Sequence, residues 1–142
     1  MGRMADKSFK FLSSMHRFLF RLTGARLGSR FLGVPILLLT VKGRKTGKQR
    51  TTPLMYFNDG EDLLIVASKG GHPSHPEWYL NLVANPDVTA QVGREKLQMR
   101  SVTATENERS RLWPQLVRGY KGYEEYQSKT ARKIPVVILK RR

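Results

Sequence analysis

Residues 67–88, ASKGGHPSHPEWYLNLVANPDV, read as a strand end, a glycine turn and a short helix in succession. Leu63 to Ala67 is an apolar run that ends at Ser68-Lys69-Gly70-Gly71. A glycine pair makes such a turn without steric cost. His75-Pro76-Glu77 then predicts a helix start with proline at its first position, and Asn85-Pro86 predicts its end. Trp78, Tyr79, Leu82 and Val83 recur at helical spacing between them. The junction therefore sets a hydroxyl, an ammonium and two flexible peptides beside a helix N-terminus, where backbone N–H groups lack partners. That suits an anionic or strongly polar ligand. The same pattern also fits an ordinary strand-to-helix connection carrying a solvated lysine.

Outward from this stretch, the chain alternates short strands and helices. Lys7 to Thr23 predicts a helix with Phe11, Leu12, Met15, Phe18, Leu19 and Leu22 on one side and Lys7, Lys10, Arg17 and Arg21 on the other. This is the pattern of a helix packed on a core, and also of one lying on an anionic membrane. Gly24 to Gly33 reads as a linker. Strands are predicted over Val34–Lys42, Thr51–Phe57, Asp62–Ala67, Val88–Val92, Lys96–Ala104 and Ile134–Leu139, with Leu97, Met99 and Ser101 sharing one face. Thr105 with Glu108 forms a capping box opening a helix through Leu112, Trp113, Leu116 and Val117, in which Pro114 should produce a kink or a restart. Short turns join neighbouring strands, so the expected sheet is mainly antiparallel, about six strands forming a small barrel with flanking helices. The expected organisation is an N-terminal helix and linker over 1–33 and a barrel domain over 34–142.

Composition narrows the function. The 142 residues carry 26 basic and 11 acidic side chains, a net charge of +15, which calls for an anionic partner. There is no cysteine, so disulfides and thiolate metal sites are excluded. No apolar run approaches the roughly 20 residues of a membrane span, and the first residues do not read as a signal peptide, which makes cytoplasmic the default expectation. Gly43-Arg44-Lys45-Thr46-Gly47-Lys48-Gln49-Arg50 concentrates cations on a flexible turn, as polyanion binding requires. It is one residue too short for a nucleotide phosphate-binding loop and has Gln49 where Ser or Thr is needed. No G-x-G-x-x-G follows a strand, so a Rossmann fold is unsupported. His72-Pro73-Ser74-His75 offers no preformed metal geometry and no carboxylate ligand, and no metal site is expected. No base–nucleophile pair is visible. The chain either binds something or borrows its chemistry from an organic cofactor.

GRKTG at Gly43–Gly47, ASKGG at Ala67–Gly71, PEWYLNLVANPDV at Pro76–Val88 and the spaced Tyr120, Tyr123 and Tyr126 resemble, in order and spacing, the deazaflavin-dependent nitroreductase family. The resemblance spans Val34 to Leu139. It implies a split β-barrel of the flavin-mononucleotide-binding kind and the cofactor coenzyme F420, an 8-hydroxy-5-deazaflavin with a phosphodiester and a glutamate tail. It implies hydride transfer from the cofactor's C5 to a small electron-poor acceptor: an activated alkene, a quinone or a nitroaromatic. Arg44, Lys45, Lys48 and Arg50, with the Thr46 and Gly47 backbone, would take the anionic tail. Ala67, Ser68, Lys69 and Gly70 would lie along the ring, with Trp78, Tyr79 and Asn81 around its pocket. Tyr120, Tyr123 and Tyr126 would cover the acceptor. Tyr123, Tyr126 and Ser68 are the catalytic candidates, for protonation and for stabilising negative charge.

The sequence departs from the resemblance at one place. Quinone- and nitroimidazole-reducing members are expected to carry a tyrosine two residues after the proline of the second strand. Here Met55 stands there and Tyr56 follows, on the opposite face of the strand. Two other readings stay open: a flavin mononucleotide reductase on the same barrel, and a basic module without catalysis. Nucleic acid is disfavoured within the latter because no DNA-reading helix or RNA-binding motif is evident. Peripheral attachment to an anionic membrane through the N-terminal helix is a further expectation.

Overall fold

Strict alternation in Val34–Lys42 sends Leu37, Leu39 and Val41 to one face and Ile36 and Leu38 to the other, and both sets are buried. A strand buried on both faces belongs inside a layered structure. The computed structural model describes residues 30–142 apart from Leu32. The expected helix over 7–23 lies outside the described residues, as does most of the expected linker.

The described chain forms eight strands, β1 (Arg30–Phe31), β2 (Val34–Lys42), β3 (Gln49–Met55), β4 (Phe57–Asp59), β5 (Asp62–Val66), β6 (Asp87–Val92), β7 (Glu95–Thr103) and β8 (Val136–Arg141). Three helices accompany them, α1 (Glu77–Ala84), α2 (Glu106–Gly119) and α3 (Gly122–Ser128). Hydrogen-bonded neighbours run β1-β2-β6-β7-β8-β5-β4, and β3 pairs with the other edge of β2. Every pairing among the described strands is antiparallel.

β3 and β4 are one strand broken at Tyr56. Met55 pairs with Ile36 of β2, whereas Phe57 pairs with Leu64 of β5. The Tyr56 N–H still reaches the Pro35 carbonyl, at 3.1 Å. The single strand predicted over Thr51–Phe57 is thus shared between two partners, and that sharing closes the sheet into a split β-barrel. Counting β3 and β4 together, six strands make the barrel. The additional β1 falls in the segment read as linker.

Barrel parity follows the ladders. Leu39 opposes Ala90, Val88 opposes Met99, and Leu63 opposes Leu139, so all six point inward. Trp78 and Leu82 of α1 complete this interior cluster. Leu64, Val66, Val136 and Ile138 face outward and are covered by Leu112 and Leu116 of α2 and Tyr123 of α3. Leu54 and Tyr56 pack on the interior cluster and Met55 on Ile36 and Leu38 outside, so the one-residue shift reverses the face as expected. The capping box is formed: the Glu108 N–H donates to Thr105 Oγ1 at 3.2 Å and the Thr105 N–H to Glu108 Oε1 at 2.9 Å. α2 continues through Pro114 without restarting. Proline removes the bond to the Ser110 carbonyl, but Ser110 is exposed, so that oxygen is open to solvent.

Leu39 is fully buried in the interior cluster. Leu39→Ala should therefore cost about 2–5 kcal/mol in urea unfolding, from lost burial and the cavity left behind. Val83 on α1 is 58% exposed, and Val83→Ala should stay within about 0.5 kcal/mol.

Candidate functional site

The basic turn folds on itself through two backbone bonds, Gly43 N–H to the Lys48 carbonyl at 2.8 Å and Gly47 N–H to the Gly43 carbonyl at 2.9 Å. Thr46 closes it with its hydroxyl, which accepts from the Lys48 N–H at 3.2 Å. Gly47 sits at φ +73°, a conformation that disfavours any other residue. Arg44 ties this turn to α1. Its backbone N–H and its guanidinium both donate to Asn81 Oδ1, at 3.1 and 2.8 Å, and the guanidinium also reaches Glu77 Oε2 at 2.8 Å. Glu77 and Asn81 are one helical turn apart and present one face to Arg44. The hydrogen bond from Arg44, with the Arg44, Lys45 and Lys69 charges, holds the Glu77 carboxyl below its usual range. Arg44, Lys45 and Lys69 therefore converge on the first turn of α1. Lys45, Lys48 and Arg50 are exposed and form no ion pair among the described residues.

The loop after β5 provides the second part. Ser68 is right-handed, at φ −77° and ψ −39°, whereas Lys69, Gly70 and Gly71 have φ of +45°, +60° and +82°. A right-handed residue followed by a left-handed one turns successive N–H groups into one concavity, a form suited to anions. The Ser68 and Gly70 N–H groups donate to nothing among the described residues, and a Cβ at Gly70 would meet no atom within 4 Å.

Arg132 fastens the loop from behind. It donates to the carbonyls of Ser68 at 2.7 Å, His72 at 2.8 Å and Ala67 at 3.0 Å, and to His75 Nδ1 at 3.2 Å. A guanidinium only donates, so His75 is the neutral tautomer with its proton on Nε2. Burial, and then the Arg132 charge, lower the His75 pKa from 6.5. The His75 ring lies 5.0 Å from that of Tyr79.

The tyrosines form the third part. Tyr120 caps the C-terminus of α2, and Tyr126 lies on α3. Their hydroxyls are 2.9 Å apart. Burial, then the hydrogen bond with Tyr120, push the Tyr126 phenol up to about 12. Tyr123 differs from both: it is buried, 5.0 Å from the Tyr120 ring, and its hydroxyl faces Met55 Sδ at 3.9 Å. Burial raises its pKa strongly. The α3 backbone also touches the glycine loop, because a Cβ on Gly71 would lie 2.7 Å from the Tyr126 carbonyl oxygen.

The predicted residues thus separate into groups. Arg44, Lys45, Thr46, Gly47, Lys48 and Asn81 meet at or beside the basic turn, with Lys69 close by. Arg50 lies opposite Val41 on the adjoining strand. Trp78 points into the barrel core. Tyr79 leaves α1 on the side away from Glu77 and Asn81, and its hydroxyl pairs with Thr103 Oγ1 at 3.0 Å. It lines a groove of about 340 Å³ with His75, Arg109 and Lys133 instead of joining the turn. Ala67 is buried and contributes its carbonyl to Arg132. Among the described residues, no group of three or more His, Cys, Asp or Glu side chains could hold a metal. Sequence reasoning missed Arg132 and the ion-pair role of Glu77. Arg132 carried no signal because it is one basic residue among 26 in a strongly cationic chain.

The chain resembles known proteins along most of its length. The family model for F420H(2)-dependent quinone reductase matches residues 13–141. An F420H(2)-dependent quinone reductase of Mycobacterium tuberculosis is 46% identical over 136 residues, spanning 92% of this chain and 91% of that protein. A solved structure of an F420-H2 dependent reductase, FDR-A, superposes with a TM-score of 0.69 at 44% identity, covering 75% of this chain and 94% of its own. A second solved structure, described only as a domain-swapped dimer, gives a TM-score of 0.71 at 41% identity, covering 89% of this chain and 94% of its own.

The His75–Arg132 contact has a pH consequence. Because the folded-state pKa is lowered, the unfolded chain binds the proton first as pH falls through about 6.5. Stability should therefore decline between about pH 7.5 and 5.5, and rise again with pH. Urea midpoints measured across that range should fall less steeply in His75→Gln, which still accepts from Arg132 but does not titrate.

Proposed function

The chain belongs to the F420H(2)-dependent quinone reductase family, and from that membership we propose that its acceptor is a quinone, reduced on the face shared by the basic turn, the 67–71 loop and the Tyr120–Tyr126 pair. It is an F420-dependent reductase, with coenzyme F420 as its cofactor. The observation that carries the placement is the open backbone concavity at Ser68–Gly70 beside exposed cations on the turn. A phosphodiester and a glutamate tail are anionic and need both features, so the donor set fits the cofactor.

When bound, the reduced cofactor supplies the hydride. The chain's own residues then have separable tasks in this proposal. Lys45, Lys48 and Arg50 pair with the tail, and Gly47 and Thr46 give their turn its shape. Arg44, already committed to Glu77 and Asn81, holds the turn against α1. The Ser68 hydroxyl, the Lys69 ammonium and the Gly70 N–H face the ring and stabilise negative charge. Tyr126 stays protonated at neutral pH, and the Tyr120–Tyr126 pair, with one O–H left over from the bond between them, offers a hydrogen bond to the acceptor. Tyr123 supports that pair from beneath, with its ring edge against Tyr120. Trp78 fixes α1 by packing in the barrel.

Acceptor choice remains the finer part of the proposal. Met55 replaces an expected tyrosine, and its sulfur meets Tyr123, so that position lends no second phenol. The charge of +15 and the pattern over residues 7–23 support docking at an anionic membrane, where lipid-soluble quinones reside. Among the described residues no helix is long and apolar enough to cross a membrane. One experiment addresses acceptor and location: oxidation of reduced F420 with quinone, nitroaromatic and enone acceptors, in solution and in anionic vesicles. The expected outcome is preferential quinone turnover, faster on vesicles for the full chain than for one beginning at Gly24. Turnover of enones alone would replace the quinone, and equal vesicle rates for both chains would end the docking proposal.

The basic turn yields a separate expectation. Lys45→Ala should weaken F420 binding by about 1–2 kcal/mol, read by cofactor fluorescence. The loss should be larger for a long glutamate tail than for a truncated cofactor, and should shrink at high salt. Equal losses at both lengths and all salt concentrations would assign Lys45 elsewhere.

A further inference from the structure

Arg132 lies on no strand or helix, yet it makes four contacts to one loop. Its Nε and both terminal nitrogens reach the carbonyls of His72, Ala67 and Ser68, and one of them also meets His75. A planar fork can span three carbonyls in this way, whereas an ammonium is a single point donor. These carbonyls point back to Arg132, and the Ser68 and Gly70 N–H groups are left for the other side of the loop.

Arg132 also follows α3 closely in the chain. Gln127 of α3 accepts from the Ile134 N–H at 2.9 Å and donates to the Arg132 carbonyl at 2.8 Å, which fixes the connecting segment. The loop meets α3 at a second point, Gly71, where a side chain would collide with the Tyr126 backbone. The loop and the tyrosine helix are thus joined twice, once by a guanidinium and once by the absence of a Cβ.

We propose that Arg132 is a positioning residue: it holds the left-handed loop at Ser68–Gly71 and fixes its spacing from the Tyr120–Tyr126 pair, and so sets where the cofactor ring sits relative to the acceptor. The inference rests on the placement of F420 at this loop. Small errors in such spacing are costly, because hydride transfer needs near-contact geometry.

The test uses the full chain with Arg132→Lys, Arg132→Gln and Gly71→Ala. In the cofactor-free proteins, amide hydrogen exchange at Gly71 and His72, whose N–H groups bond to Ser68 and Lys69, should accelerate at least about tenfold, while Leu39 and Ile65 in the barrel keep their protection. F420 dissociation constants should rise about 10- to 100-fold in all three, because the binding-competent loop is then populated less often. Turnover at saturating cofactor should fall as well, with the acceptor KM less changed. Rescue by lysine would reduce Arg132 to a charge, and unchanged loop exchange would remove its positioning role. Equal loss of barrel protection would make it a general stabiliser. Should the Arg132 variants fail to fold, Gly71→Ala decides alone, and normal loop exchange and F420 affinity in it would overturn the proposal. Failure of the unaltered protein to bind F420 would instead count against the placement of the cofactor, a result the exchange measurements do not depend on.

Discussion

The break at Tyr56 is the constraint on which the architecture depends. One extended segment, Gln49 to Asp59, serves β2 with its first half and β5 with its second. Without that division no segment would link the β2 side of the sheet to the β5 side. The division also fixes parity. Tyr56 stays on the interior side and Phe57 turns outward, where it meets Tyr123 edge-on at 6.0 Å. The far half of the strand is tied down from outside by α2: Gln115 donates to the Asn58 carbonyl at 2.8 Å and Arg111 pairs with Asp59 at 3.2 Å. Gly119 then lets Phe57 lie against the end of the helix, because any Cβ there would overlap the ring. Barrel closure thereby determines where α2 ends and where the tyrosines begin.

Much of the fold was legible because it is written in periodicities. β2 begins and ends where its apolar run does, and the capping box of α2 is a local motif with one geometry. The split of β3 from β4 was not legible, since apolar and β-branched residues run through Thr51–Phe57 without a glycine or a second proline near Tyr56. A change of pairing partner is a tertiary event, and strand propensity does not encode it. The helix α3 was hidden for a related reason. Seven residues containing a glycine at the start give too little pattern, and its stability comes from Tyr123 packing against the sheet.

The candidate site was legible in its motifs and less so in its wiring. Glycines at positions 47, 70 and 71 announced turns, and all three occupy positive φ. Tyr120, Tyr123 and Tyr126 looked equivalent by spacing. The structure separates them, because Tyr120 precedes α3 and the others lie on it, so that one ring goes under and two hydroxyls meet. Trp78 and Tyr79 are adjacent in sequence and therefore about 100° apart around α1, which sends one into the barrel and the other to Thr103. Motif membership assigned both to one pocket, and helix geometry does not allow both to face the same way.

The cationic side chains show why net charge is a poor map of a binding site. Arginines at several places are internal fasteners. Arg44 bridges the turn and α1, Arg132 gathers three carbonyls, and Arg142 reaches the Met99 carbonyl and Gln98. Arg109 bonds the Ile134 carbonyl and Gln127 while lying 4.2 Å over the Trp113 ring. Each uses the fixed fork of the guanidinium, which loses little additional freedom per bond formed. Lysines Lys45 and Lys48 stay at the surface on long flexible stems. The division follows from chemistry: a rigid multidentate donor suits a fixed array of carbonyls, whereas a hydrated point charge suits a mobile anion whose oxygens move with solvent. An anionic cofactor tail is such a partner, and the ring end of the same molecule is not. In the proposed placement the mobile tail meets exposed cations, Lys45 and Lys48 among them, and the ring is framed by backbone that arginine holds in place.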